Sequence, residues 1–345
     1  MKKFFKILLI SVFLFLVIDF SFGANLLKII QLTTNFNSSI AIKDESQYYV
    51  FKNNENIILT WAGKKYNFCT NEIGLKTSCK ENLSLKKNYK YAFIGDSFTE
   101  GIGVEYDKTF VGLFNDNNDT LNLGISGHSP FLYLKRLKFY SEKISFDNLV
   151  LFLDLTDFED DYGWHTQGSK YIEFYNIDEN KELLKKKLEH NFKLTYVFLR
   201  NLWWIVYLPN LDLNKIYLHD DKRWSWDYLP EENIKNYNFK QQLYLKNISE
   251  IINYCLTKKI KLHIVIFPHP GTLINMKDIS ISKQNNLIRS LCDNNNCNFL
   301  SLYPNFFEEK ITSDLIIKKY YINYDIHFNE QGHYLIYKIL KEKFR

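Results

Sequence analysis

From Lys90 to the C-terminus, short runs of nearly uniform hydrophobicity alternate with longer stretches of helical periodicity. Leu262-His263-Ile264-Val265-Ile266-Phe267 is one such run. A strand with one wet face alternates polar and apolar residues, whereas a nearly continuous apolar strand belongs to a parallel sheet covered by helices on both faces. The pattern predicts strands at 91–95, 120–124, 148–154, 261–267 and 298–302. Helices are expected at 110–114, 131–142, 239–258, 282–292 and from 330 to the end. Alternating β and α units imply a three-layer α/β/α sandwich around a doubly wound parallel sheet. At 345 residues, 46% hydrophobic and 24% charged, the chain can bury the core such a fold needs.

In open α/β sheets, ligands bind beyond the carboxyl ends of the strands. The first predicted strand runs into Ile94-Gly95-Asp96-Ser97-Phe98-Thr99-Glu100-Gly101, which delivers Ser97 to that edge. Serine is a weak nucleophile until a base takes its proton. Near the other end the chain reads Asp325-Ile326-His327-Phe328-Asn329-Glu330, just before the last predicted helix. Ser97, His327 and Asp325 are thus the residue types of a nucleophile, its base and an orienting acid. Alone, Ser97 could cap a helix and His327 could sit on the surface; it is the set that points to chemistry. Asp96, adjacent to Ser97 on a tight turn, is expected to cap the following helix.

These motifs resemble the SGNH/GDSL hydrolase superfamily, whose first block is the Gly-Asp-Ser at Gly95 to Ser97 and whose last is an Asp and a His before the final helix. The spacing Asp325-x-His327 is one residue shorter than the commonest form and resembles the alginate O-acetyltransferase-like branch. The second block corresponds to Leu121-Asn122-Leu123-Gly124-Ile125-Ser126-Gly127, and carries over to Gly127. The third block is usually Asn-Asp, but here it reads Asp154-Leu155-Thr156-Asp157, with Thr156 in place of Asn. The resemblance implies a flavodoxin-like sheet of the SGNH type. It also implies an ester hydrolase or O-acyltransferase with the triad Ser97, His327 and Asp325. The oxyanion hole would be built from the backbone N–H groups of Ser97 and Gly127, with Thr156 as a third donor through its hydroxyl. No cofactor and no metal are implied. Asp154 and Asp157 are too few for a metal site.

The N-terminus reads Lys2, Lys3 and Lys6, then an apolar run through Ile18, then Asp19 and the small residues Ser21-Phe22-Gly23-Ala24. A basic start, an apolar run and a small-residue exit describe a secretory signal or an uncleaved signal anchor over residues 1–24. The body would then be extracytoplasmic, periplasmic or secreted, with membrane attachment through this segment. The cysteine spacing agrees with export: Cys69 with Cys79, and Cys292 with Cys297, would close as local disulfides in an oxidising compartment. Cys255 lies in an apolar helical pattern and reads as a core residue.

Residues 25–89 form a β-rich extension, with strands expected at 47–51, 56–61 and 66–69. The catalytic domain spans 90–345, interrupted at about 158–236 where the alternation stops. That insertion, with a long helix expected over 178–208, reads as a cap beside Ser97. Trp224 and Trp226 within it, and His269 beyond the predicted strand 261–267, are candidate substrate contacts, although large aromatics more often bury. The resemblance, with export and the aromatic cap, implies a carbohydrate-borne or other small acyl ester as the substrate class. The net charge is only +5, with no basic stripe interleaved with aromatics, so nucleic acid is not an expected partner. Two other readings compete: a non-catalytic glycan-binding or scaffold module of this fold, and a lipid-active esterase with an apolar trough.

Overall fold

The computed structural model describes residues 2–34, 40–80, 85–115, 119–168, 223–276, 278–295, 297–307 and 312–344, with isolated positions between 191 and 202. It divides into two compact units: residues 1–36 with 169–212, and residues 37–168 with 213–345.

In the smaller unit, helix α1 (Lys2–Thr34) carries the basic start and apolar run. It continues well beyond the small residues at 21–24. Its stretch Phe5–Gly23 is long and apolar enough to cross a membrane. The expected helix at 178–208 falls mostly outside the described residues; among those described, 191, 194, 195, 198 and 202 are helical.

The larger unit begins with the β-rich extension. Strands β1 (Ala41–Asp44) and β2 (Tyr48–Phe51) pair antiparallel. Strands β3 (Asn56–Trp61), β4 (Lys64–Thr70) and β5 (Lys76–Thr77) form a separate antiparallel sheet. Ala62 and Gly63, both at positive φ, make the tight turn between β3 and β4, as hairpin twist demands. The extension therefore holds two small sheets where sequence predicts three strands.

The central sheet follows. Strand β6 (Asn88–Ile94) leads into helix α2 (Ser97–Glu100), then α3 (Phe110–Phe114) and β7 (Thr120–Asn122). Next come α4 (Pro130–Ser141), β8 (Ser145–Leu153) and α5 (Asp157–Gln167). Beyond the insertion lie α6 (Tyr237–Lys258), β9 (Lys261–Ile266), α7 (Pro270–Asn275), α8 (Lys283–Asn295) and β10 (Asn298–Ser301). Helices α9 (Tyr303–Phe307), α10 (Ser313–Tyr320) and α11 (Glu330–Phe344) close the chain.

All neighbours in the sheet are parallel, in the order β10-β9-β8-β6-β7. The chain leaves β6 towards β7 and then crosses back to β8 on the other side. The switch point, where ligands bind in such sheets, therefore lies between the carboxyl ends of β6 and β8. Leu149–Leu153 and Leu262–Ile266 are buried throughout. Phe93, Phe110 and Phe152 pack ring against ring across the sheet, with Phe110 stacked on Phe152 at 4.5 Å.

The insertion is narrower than 158–236. Residues at its start form α5, which packs on the body against α4 and α6. Residues at its end, Trp224 and Trp226, belong to the main hydrophobic core. Only residues 169–212 group with α1 instead of with the body.

Candidate active site

Ser97 is the first residue of α2, immediately beyond β6. The turn is tight for identifiable reasons. A Cβ at Gly95 would lie 2.2 Å from Thr99 Oγ1 and 3.1 Å from the Phe152 carbonyl. Asp96 caps the helix as expected, accepting the Phe98 N–H at 3.0 Å. Gly101, at φ 77°, stops the helix after one turn. As the first helical residue, Ser97 has an N–H with no acceptor inside the helix.

The loop before α11 brings the other two residues. Its shape is held by the Ile322 N–H bonded to the His327 carbonyl at 2.8 Å and the Asp325 N–H bonded to the Ile322 carbonyl at 3.0 Å. His327 Nε2 lies 2.8 Å from Ser97 Oγ, and His327 Nδ1 lies 2.5 Å from Asp325 Oδ1. The imidazole is wedged between Phe98, at 4.8 Å between ring centres, and the edge of Trp61, at 5.6 Å. Trp61 Nε1 donates to Asp325 Oδ2 at 3.0 Å. Burial pushes the Asp325 pKa up, but the hydrogen bonds and charge of His327, with the Trp61 indole, outweigh this and hold it below the usual carboxylate value.

A second buried network lies beneath Ser97. Ser97 Oγ is 3.2 Å from Asp96 Oδ2. The Asp96 carboxyl is fully enclosed beside Asp154, and burial together with that neighbouring charge holds its pKa well above the ordinary range. Burial also acts on Asp154, but the charge and hydrogen bond of His269 and the hydroxyl of Thr156 hold its pKa low. Asp154 accepts from His269 Nε2, from the Leu155 N–H at 2.7 Å and from Thr156 Oγ1 at 2.5 Å.

This network and the packing around it revise the expectations for four residues. The Thr156 hydroxyl is committed to Asp154 instead of pointing to a third oxyanion position. His269 is fully buried against Asp154 and Phe98, with no face open to a substrate. Trp226 is 1% exposed, stacks on Phe158 at 4.2 Å and donates its indole N–H to the Leu155 carbonyl at 2.7 Å. Trp224 is buried beside His269. The tryptophans belong to the core because each is large and apolar and adjoins the sheet edge.

Gly127 lies in the loop after β7 at φ 75°, where an added Cβ would meet the Tyr49 hydroxyl at 2.9 Å. Among the described residues its N–H has no hydrogen-bond partner. The loop comes close to α2 because Gly124 has no side chain: a Cβ there would meet the Glu100 N at 2.3 Å. Glu100 then accepts the Ser126 N–H at 2.7 Å and the Ser126 hydroxyl. Tyr49 donates its hydroxyl to the Ser126 carbonyl, and Trp164 Nε1 donates to the Gly127 carbonyl at 3.1 Å.

Sequence reasoning missed Trp61, Tyr49, Lys76 and the role of Asp154. The first three lie in the extension, about whose contacts local pattern says nothing. Lys76 Nζ, fully buried, donates to the Gly101 and Val104 carbonyls at 2.8 Å each, and burial lowers its pKa to about 8.

No family model matches the chain. No curated protein matches it either. Solved structures do resemble it. A member of the lipolytic protein G-D-S-L family from Veillonella parvula is 14% identical over 74% of this chain and 98% of its own, with a TM-score of 0.42. A GDSL-like lipase from Bacteroides thetaiotaomicron is 14% identical over 76% and 91%, with a TM-score of 0.41. A catalytic mutant of an acetylxylan esterase from Geobacillus stearothermophilus is 13% identical over 76% and 97%, also at 0.41. Identities this low leave the chemistry to be read from the side chains of this chain.

Proposed function

We propose that the protein is an extracytoplasmic serine esterase or O-acyltransferase of the SGNH/GDSL type. The observation that carries this reading is the position of His327, with one ring nitrogen 2.8 Å from Ser97 Oγ and the other 2.5 Å from Asp325 Oδ1. Ser97 Oγ attacks an acyl carbonyl while His327 Nε2 takes its proton. Asp325 holds the tautomer that leaves Nε2 free to accept, and stabilises the imidazolium. The tetrahedral oxyanion is received by the N–H groups of Ser97 and Gly127. Collapse expels the alcohol, which takes its proton from His327 and leaves an acyl-serine. Water, or the hydroxyl of an acceptor, then attacks with His327 again as base. The product is the free acid in one case and a new ester in the other.

The short Asp325-x-His327 spacing and the export features favour the alginate O-acetyltransferase-like branch, hence acyl esters on envelope carbohydrate. Burial of Trp224 and Trp226 removes sugar stacking as support, so the reading rests on the small acyl ester. The extracytoplasmic location is supported by the apolar helix α1 and by the disulfides Cys69–Cys79 and Cys292–Cys297, bonds that persist in oxidising compartments. A non-catalytic module would have no use for a complete relay at the switch point, and no observation favours an open lipid trough.

The test is Ser97→Ala, assayed with p-nitrophenyl acetate beside a thermal melt. Turnover should fall by roughly three orders of magnitude or more, with the melting temperature nearly unchanged. A fluorophosphonate probe should label the native protein at Ser97 only. Equal turnover in variant and native protein would reject the reading.

A further inference from the structure

The smaller unit joins two segments far apart in sequence. Helix α1 exposes large apolar side chains on all sides, among them Phe5, Leu9, Phe13 and Phe20. Its single acidic residue is the exception: Asp19 is only 1% exposed. The Asp19 carboxyl accepts the Leu194 N–H at 2.9 Å, the Thr195 N–H at 2.8 Å and the Thr195 hydroxyl at 2.6 Å. One residue away, Phe20 meets Phe192 at 5.6 Å between ring centres. Space for the carboxyl comes from Gly23, where an added Cβ would fall 2.0 Å from Asp19 Oδ1. Gly23 thus has a reason to be small that has nothing to do with a peptidase. On the inserted segment, Phe198 and Leu202, one helical turn apart, are themselves exposed.

We infer that α1 is retained in the mature protein as a bilayer-spanning anchor, and that the inserted segment around 191–202 docks onto it through Asp19. A polar group buried in hydrocarbon is costly unless it is satisfied inside the protein. The peptide N–H groups at 194 and 195 satisfy Asp19, and Asp19 satisfies them. Cleavage at the small residues 21–24 would remove the acceptor and leave those donors bare. The partner of the exposed apolar surface is the lipid bilayer. Lys2, Lys3 and Lys6 precede the span, which orients the N-terminus to the cytoplasm and the enzyme body outward. Asp19 lies 14 residues beyond Phe5, about 21 Å along a helix axis at 1.5 Å per residue. That depth is in the outer half of a hydrocarbon core about 30 Å thick. The inserted segment then serves the membrane through α1.

This inference rests on the extracytoplasmic reading, which the alkylation of Cys292 and Cys297 tests separately. The full chain is expressed in a bacterial inner membrane with Phe20→Cys and Phe192→Cys together, oxidised with copper phenanthroline, digested and analysed by mass spectrometry. The expected result is an intact N-terminal peptide from α1 and a cross-link between the two introduced cysteines. A Phe5→Cys and Phe192→Cys control should give little. Adding Asp19→Ala should lower the cross-link yield several-fold. Purified protein should float with phosphatidylethanolamine–phosphatidylglycerol vesicles. A mature chain beginning at or after Ala24 would overturn the inference. So would an intact N-terminus whose cross-link is no stronger than the control, or failure to float, which would assign the apolar surface to a protein partner.

Discussion

The indole of Trp61, at the end of a strand in the N-terminal extension, donates to Asp325 Oδ2 at 3.0 Å. The other oxygen of that carboxyl faces His327 Nδ1 at 2.5 Å. A residue 264 positions away in sequence thereby orients the acid of the proposed triad. Trp61→Phe keeps the ring against His327 and removes only the donor. We expect kcat to fall about ten- to hundredfold with KM little changed, since a hydrogen bond to a charged group contributes about 1.5–3 kcal/mol. The sign with pH follows from the depressed Asp325 pKa. Stability from this group is present above the ordinary carboxylate value and lost as pH falls through the folded value. Without Trp61 the folded value rises, so acid unfolding of the variant should begin at higher pH. Circular dichroism from pH 7 down to 2 checks this.

The Asp154 carboxyl is tied to His269, Thr156 and Leu155, and the Asp96 carboxyl, whose pKa burial and the Asp154 charge hold above the ordinary range, lies beside it. Asp154→Asn removes the charge that His269 and Asp96 face. Breaking a buried pair from one side costs about 3–5 kcal/mol, so urea unfolding should show a loss of that size. The turn at Ser97 should loosen as well, lowering kcat more than it raises KM. A variant as stable as the native protein would mean the network carries little.

At Gly127, positive φ and the neighbouring Tyr49 hydroxyl both oppose a side chain. Gly127→Ala should push the loop and its N–H out of place. Loss of one oxyanion donor lowers the rate by about 10²–10³, while labelling of Ser97 by a fluorophosphonate should persist more slowly. Steady-state kinetics with p-nitrophenyl acetate give the first number and timed labelling the second.

Protein recovered from its own compartment should resist alkylation at Cys69, Cys79, Cys292 and Cys297, with Cys255 reacting only after unfolding. Reduction should lower stability, since closing a short loop contributes about 2–4 kcal/mol. Non-reducing mass spectrometry decides the pairing. Free thiols at all four positions would refute the bonds and the oxidising location together.

What the sequence determined by itself was whatever repeats with a local period or follows a strand directly. The strand pattern identified all five strands of the central sheet, most plainly β8 and β9, because a strand buried on both faces has no polar register to hide it. Gly95-Asp96-Ser97 and Asp325-x-His327 were legible because each motif is short and each of its residues acts beside its neighbours. Tertiary structure decided the rest. Trp61, Tyr49 and Lys76 reach the site from the extension, and nothing in a hairpin's alternation says what its side chains will touch. Thr156 and His269 sit at strand ends where a substrate contact was a fair expectation, but the buried Asp154 between them claims both. The bonds from Asp19 to Leu194 and Thr195 join residues 175 and 176 positions apart, a pairing that no local pattern announces. A carboxyl buried in apolar surroundings must find donors wherever the fold supplies them, and that is a question of space and not of sequence order.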